Sequence, residues 1–169
     1  MATAIKRVDP AENEFLAGLE AKSKQANPFL RTMANRPEVL KSFIPLYGAI
    51  VGPGSVERRI KSMMYLTASF ANNCAFCIAS NLPGARKSGM TEAEIEALKN
   101  GQDEGFSEAE RTAIHYAREL TRTAQPGDAR EQIFLHFTHE QIVEITLVIA
   151  MANFTNRFNN GLRIQPDLG

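Results

Sequence analysis

From Ile142 to Phe154 the chain is apolar-rich, interrupted by Glu144, Thr146 and Asn153. A capping box, Thr138 with Gln141, stands just before this stretch. The whole therefore reads as one long, nearly all-apolar helix from His139 to about Asn159. A helix lying on the surface of a small domain needs only one apolar stripe, and this one is apolar on too many sides. It must run through the centre of the domain or pack against another subunit. The apolar run is too short to cross a bilayer, which takes about 20 residues.

The rest of the chain follows the same helical periodicity. Asp9 and Pro10 suit an N-cap and first-turn proline for a short amphipathic helix carrying Phe15, Leu16 and Leu19. Pro37 opens a second, with a broad face of Val39, Leu40, Phe43, Ile44, Leu46 and Tyr47; Pro45 argues for a kink or break inside it. Gly52-Pro53-Gly54 is a stop. Ser55 or Gly54 then starts a long helix through Met63, Met64, Leu66, Ala68 and Phe70, broken or capped at Asn72-Asn73. The next helix should end at Gly89, with Pro83-Gly84 as a disturbance. Two further capping boxes, Thr91/Glu94 and Ser107/Glu110, open helices that end at Asn100-Gly101 and before Pro126-Gly127. A short piece, roughly 128–137, precedes the third box. No alternation of polar and apolar residues persists long enough for a sheet, so the expected fold is all-α.

At 169 residues the chain is most simply a single domain over 1–169. Its 19 basic and 19 acidic side chains cancel, so no overall field recruits nucleic acid or a membrane surface. The N-terminal segment has no signal-peptide core, and a cytoplasmic location is expected.

The only two cysteines sit in one motif, Cys74-Ala75-Phe76-Cys77. In a reducing compartment such a pair points to redox or metal chemistry rather than to a structural staple. Cys74 is placed in the first turn of a new helix, where residues three apart share a face and can close a disulfide. Backbone N–H groups and the helix dipole there stabilise a thiolate. Such a thiolate attacks a peroxide oxygen, and its partner thiol captures the sulfenic acid. A structural zinc site would need four ligands, and no second CxxC or CxxH is present. An inert thiol pair is the plain alternative.

Residues 57–98, ERRIKSMMYLTASFANNCAFCIASNLPGARKSGMTEAEIEAL, resemble the carboxymuconolactone decarboxylase superfamily, specifically its alkylhydroperoxidase D-like branch. Residues 144–167, with their Asn-Arg-containing end, echo that family's last helix more loosely. The resemblance implies an all-α alkylhydroperoxidase D-like fold assembled as a homotrimer or homohexamer. It also implies thiol-dependent reduction of a hydroperoxide, with an unidentified thiol reductant recycling the disulfide and no cofactor. Carried over, Cys77 is the peroxide-attacking thiol and Cys74 resolves it. Where the family has a histidine one turn past the second cysteine, this chain has Asn81. Where the family has a glutamate twelve residues before the first cysteine, it has Ser62. The proton relay is thus absent at both ends, and Glu57 is the nearest acid.

Arg58, Arg59 and Lys61 could supply a cation to the thiolate, although neighbours on an exposed helix are usually solvated charge. Tyr65 could point its hydroxyl at the thiols or simply pack. Met63, Met64, Phe70 and Phe76 suit core or pocket wall better than a cofactor box. His115 reads as a core or boundary residue, and His136 and His139 as exposed or capping. Asn153, Asn156, Asn159 and Asn160 read as ligands of loops or of a neighbouring subunit, without catalytic logic. Three functions compete: a peroxiredoxin-type thiol peroxidase; a non-catalytic or redox-sensing oligomer; and a decarboxylase-type lyase, for which histidine acid–base chemistry would be expected.

Overall fold

In the computed structural model residues 4–166 are described. Among them a 3₁₀ turn (Pro10–Glu12) is followed by nine helices and no strand. The helices are α1 (Glu14–Ser23), α2 (Pro28–Met33), α3 (Pro37–Val51), α4 (Arg58–Ala71), α5 (Ala75–Lys87), α6 (Glu92–Lys99), α7 (Glu108–Thr123), α8 (Ala129–Ile133) and α9 (His139–Gly161). The all-α expectation holds. No helix among the described residues is long and apolar enough to cross a membrane.

All three capping boxes form, opening α6, α7 and α9. Glu94 and Glu110, the returning carboxylates of the first two, share Arg59 of α4. Arg59 donates to Glu94 Oε1 at 2.5 Å, to Glu110 Oε1 at 2.8 Å and to the Gly89 carbonyl at 2.9 Å. Those hydrogen bonds, first to Glu94 and then to Glu110, raise the guanidinium's affinity for its proton. Arg59 is therefore a clamp between helices, neither a solvated charge nor a partner of the thiols.

α4 is enclosed by α5, α7 and α9, and α3 rests on α9. Every residue of α4 from Met63 to Ser69 is buried. α9 meets the first alternative raised by its sequence, running through the core on one face. Ile145, Val148, Ile149 and Ala152 are buried in the core, whereas Val143, Leu147, Ala150 and Phe154 form an exposed apolar stripe at i, i+4, i+7 and i+11.

Several local expectations need correction. Asp9 caps only the 3₁₀ turn, and a second cap, Asn13, starts α1. α3 runs unbroken through Pro45, which lies on an exposed face where solvent can satisfy the carbonyl it leaves unpaired. α5 likewise continues through the exposed Pro83. Ser55 does not start α4, because Glu144 of α9 takes both its N–H (2.7 Å) and its hydroxyl (2.6 Å). α4 begins instead at Arg58. Lys61 is buried, donates to the Ile50 and Gly52 carbonyls, and pairs with Glu144. Its task is to fasten the α3–α4 connection to α9. At Gly54 any Cβ would run into the Glu144 carboxylate, so the connection has no room for a side chain there.

Candidate active site

The turn between α4 and α5 sets the position of the thiols. Asn72 caps α4, and Asn73 adopts a left-handed conformation with φ of 50°. The N–H of Asn73 reaches the Phe70 carbonyl (3.1 Å), and that of Cys74 reaches the Ser69 carbonyl (3.0 Å). This is a Schellman closure, and asparagine is among the few side chains that tolerate the conformation it requires. Cys74 thus ends one motif and starts the next. It is the N-cap of α5, and its Sγ accepts from the Cys77 N–H at 3.3 Å.

Cys74 and Cys77 are paired as a disulfide, with Cα atoms 5.3 Å apart. Both are buried, but only Cys77 lines the cavity beside α5. That cavity holds about 190 Å³ and is walled by the rings of Phe29, Phe43, Tyr47, Tyr65 and Phe76 and by Leu30 and Ile44, with Asn27, Ser80, Asn81, Thr155 and Asn159 as its polar lining beside Cys77. Phe29 is the keystone, with ring centroids 5.4 Å from Phe43, 5.4 Å from Phe158 and 6.3 Å from Phe76.

Of the other sequence candidates, Tyr65 and Asn81 line the same cavity. Asn81 donates one carboxamide N–H to the Cys77 carbonyl at 2.8 Å. The Tyr65 hydroxyl lies 2.5 Å from Thr155 Oγ1, which also bonds the Ala152 carbonyl at 3.0 Å. The Tyr47 ring stands edge-on to that of Tyr65, with centroids 6.4 Å apart. Burial pushes both phenols above their ordinary range, so each stays neutral and can yield its proton only to a base as strong as an alkoxide. Ser62 is half-buried and Glu57 exposed, and neither lines the cavity. Arg58 is exposed at the start of α4. His115 and His139 are exposed, correcting the boundary role expected of His115. His136 lies 3.9 Å from Glu108 at the surface. Among the described residues, no three His, Cys, Asp or Glu side chains gather as a metal site.

Three of the α9 asparagines bond a loop, as expected of them. Asn153 and Asn156 each accept from Asn72 Nδ2 at 2.9 Å, and Asn160 donates to the Asn72 carbonyl at 2.8 Å. They hold the turn that carries the thiols. Asn159 goes further, donating from Nδ2 to Cys77 Sγ at 3.3 Å. A signal for it was present: a polar side chain on the buried face of an apolar helix must find a partner. The α2 wall was missed as well, although Asn27-Pro28 carries the same cap-plus-proline signature as Asp9-Pro10.

Residues 37–119 match the carboxymuconolactone decarboxylase family. A solved Agrobacterium tumefaciens protein of unknown function, provisionally assigned as the antioxidant defence protein AhpD, is 30% identical. The match covers 81% of this chain and 96% of that one, with a TM-score of 0.73. The chain belongs to the carboxymuconolactone decarboxylase family. The uncharacterized protein YdfG of Bacillus subtilis is 28% identical over 109 residues, 62% of this chain and 74% of its own. A peroxidase-related protein from a Silicibacter species shares the fold at a TM-score of 0.84 and 20% identity, over 99% of this chain and 92% of that one. The fold is accordingly alkylhydroperoxidase D-like.

Proposed function

We propose that this family member is a thiol-dependent peroxidase that reduces hydroperoxides through a Cys74–Cys77 disulfide cycle. One observation carries the reading: Cys77 forms part of the wall of an aromatic cavity, while Cys74 sits one turn away at the helix start, outside it. Cys77 is then the sulfur a substrate meets, and Cys74 the one that resolves.

The reaction balances with residues present. The Cys77 thiolate attacks the distal peroxide oxygen; an S–O bond forms, the O–O bond breaks, and the departing alkoxide needs a proton. Tyr65 and Tyr47 are neutral donors at the cavity wall, and their phenols supply it. The phenolate is reprotonated by the Cys74 thiol, whose sulfur attacks the Cys77 sulfenic acid. Hydroxide leaves and takes up a proton from solvent, matching the one that solvent received when the Cys77 thiolate formed, and departs as water. A thiol reductant reopens the disulfide.

Among the described residues the lining contains no carboxylate or imidazole, which gives a redox-sensing, non-catalytic role its best support and offers a histidine-dependent lyase no base there. Reduced protein mixed with cumene hydroperoxide in the presence of dithiothreitol separates these. Sustained peroxide loss, abolished by Cys77→Ser, is the result expected. Oxidation of one thiol pair without turnover would favour the sensor, and undiminished consumption by Cys77→Ser would sink the peroxidase. Assembly as a trimer or hexamer belongs to the same proposal; the bare stripe of Val143, Leu147, Ala150 and Phe154 supports it.

A further inference from the structure

Asn159 is 1% exposed and lines the cavity together with Cys77. Its Nδ2 makes two contacts, to the Thr155 carbonyl at 2.8 Å and to Cys77 Sγ at 3.3 Å. The orientation is forced, because reversing the carboxamide would set Oδ1 against the Thr155 carbonyl oxygen. Oδ1 is buried and has no hydrogen-bond partner among the described residues. A buried acceptor left bare is costly and rare, and calls for a donor that the described residues do not provide.

Oδ1 is closed off in this disulfide form, so a donor would reach it from the cavity that Asn159 and Cys77 line once the two sulfurs part, and that space limits what the donor can belong to. A cavity of ~150 Å³ lined by Leu, Ile and Phe is known to hold benzene. The 190 Å³ here, walled by Phe29, Phe43 and Phe76, accommodates an apolar body of about one ring. Its polar end would lie at the sulfur.

We propose that Asn159 aligns the two reactants: Nδ2 holds the Cys77 sulfur, and Oδ1 accepts the O–H of a hydroperoxide whose apolar, ring-sized body fills the cavity. This rests on the peroxidase reading. The distal oxygen, which carries that O–H, is the one the sulfur attacks, so one carboxamide brings the bond-forming atoms together. The S–O bond forms and the O–O bond breaks as above, and the distal oxygen keeps its hydrogen as the sulfenic acid. Asn159 exchanges no proton, and a neutral carboxamide suits that task. In the reduced protein the same N–H meets a thiolate, which accepts far more strongly than a disulfide sulfur.

Two measurements test this without requiring turnover. The first compares binding of cumyl alcohol, an unreactive analogue with the O–H, and cumene, which lacks it, to the reduced wild-type protein. About tenfold tighter binding of the alcohol is expected, the range of one buried hydrogen bond. Equal binding would overturn the Oδ1 assignment, whether or not Asn159 variants fold. The second follows alkylation of Cys77 against pH in a Cys74→Ser background. Asn159→Leu should move the midpoint up by about one pH unit, and an unmoved midpoint would overturn the Nδ2 assignment. Asn159→Leu should also erase the preference for the alcohol. Failure of the wild-type protein to turn over peroxide would bear on the peroxidase reading alone, since neither measurement depends on it.

Discussion

Asn81 is spent partly on the backbone, donating to the Cys77 carbonyl while lining the cavity with the rest of its side chain. A carboxamide cannot take up a proton near neutral pH, and the phenols of Tyr47 and Tyr65 are held protonated by burial. Among the described residues the cavity is therefore supplied with proton donors but has no base to form the thiolate. An imidazole at the Asn81 position would provide one. Asn81→His is expected to raise the rate of peroxide consumption by about 10²-fold, the low end of what a positioned base contributes. The gain should grow with pH through the histidine range, around pH 6–7. A folded variant with unchanged rate would show that thiolate formation does not limit the reaction.

At the scale of elements, the junction of α4 and α5 depends on a single backbone conformation. Asn73, with φ of 50°, lets the Schellman closure form and so places Cys74 at the N-cap of α5. A β-branched residue there carries the left-handed penalty of about 1–2 kcal/mol, and glycine carries none. Urea unfolding should show Asn73→Val destabilised by about that amount and Asn73→Gly at or above the parent; equal stabilities would contradict the strained-turn account. The break at Asn72-Asn73 was legible in sequence, as were the three capping boxes, because each is a local exchange of hydrogen bonds between neighbours. Lys61 and Arg59 were not legible in this way. Their partners, Glu144 for one and Glu94 with Glu110 for the other, come from distant helices, and charge spacing along α4 alone suggests only a wet face. Asn159 failed for the same reason: its partner sulfur lies 82 positions away. The fold class was legible from periodicity, whereas the cavity, built from α2, α3, α4, α5 and α9, is a product of packing.

For the molecule as a whole, Glu144 joins the parts that enclose that cavity. Its carboxylate on α9 receives the N–H and hydroxyl of Ser55 and pairs with the buried Lys61 of α4, which in turn holds the last carbonyls around the end of α3. Burial alone pushes this carboxyl up, but the hydrogen bonds from Lys61 and Ser55 outweigh it and hold it at about 2, against an ordinary value of 4.5. A carboxyl depressed on folding stabilises the native state above its unfolded value, and that contribution drains away as pH falls through the folded one. The gap corresponds to about 3 kcal/mol, of which about 2 kcal/mol should be gone by pH 3. Glu144→Gln should lose stability at pH 7, where Lys61 remains buried without its counter-charge. Its unfolding free energy should also fall less steeply than the parent's between pH 5 and pH 3. Parallel stability–pH curves, measured by urea unfolding, would mean that another carboxylate carries the acid sensitivity. A variant that flattens the curve and also weakens cumyl alcohol binding would tie this distant ion pair to the shape of the cavity, because α3 and α9 contribute Phe43, Tyr47, Thr155 and Asn159 to its wall.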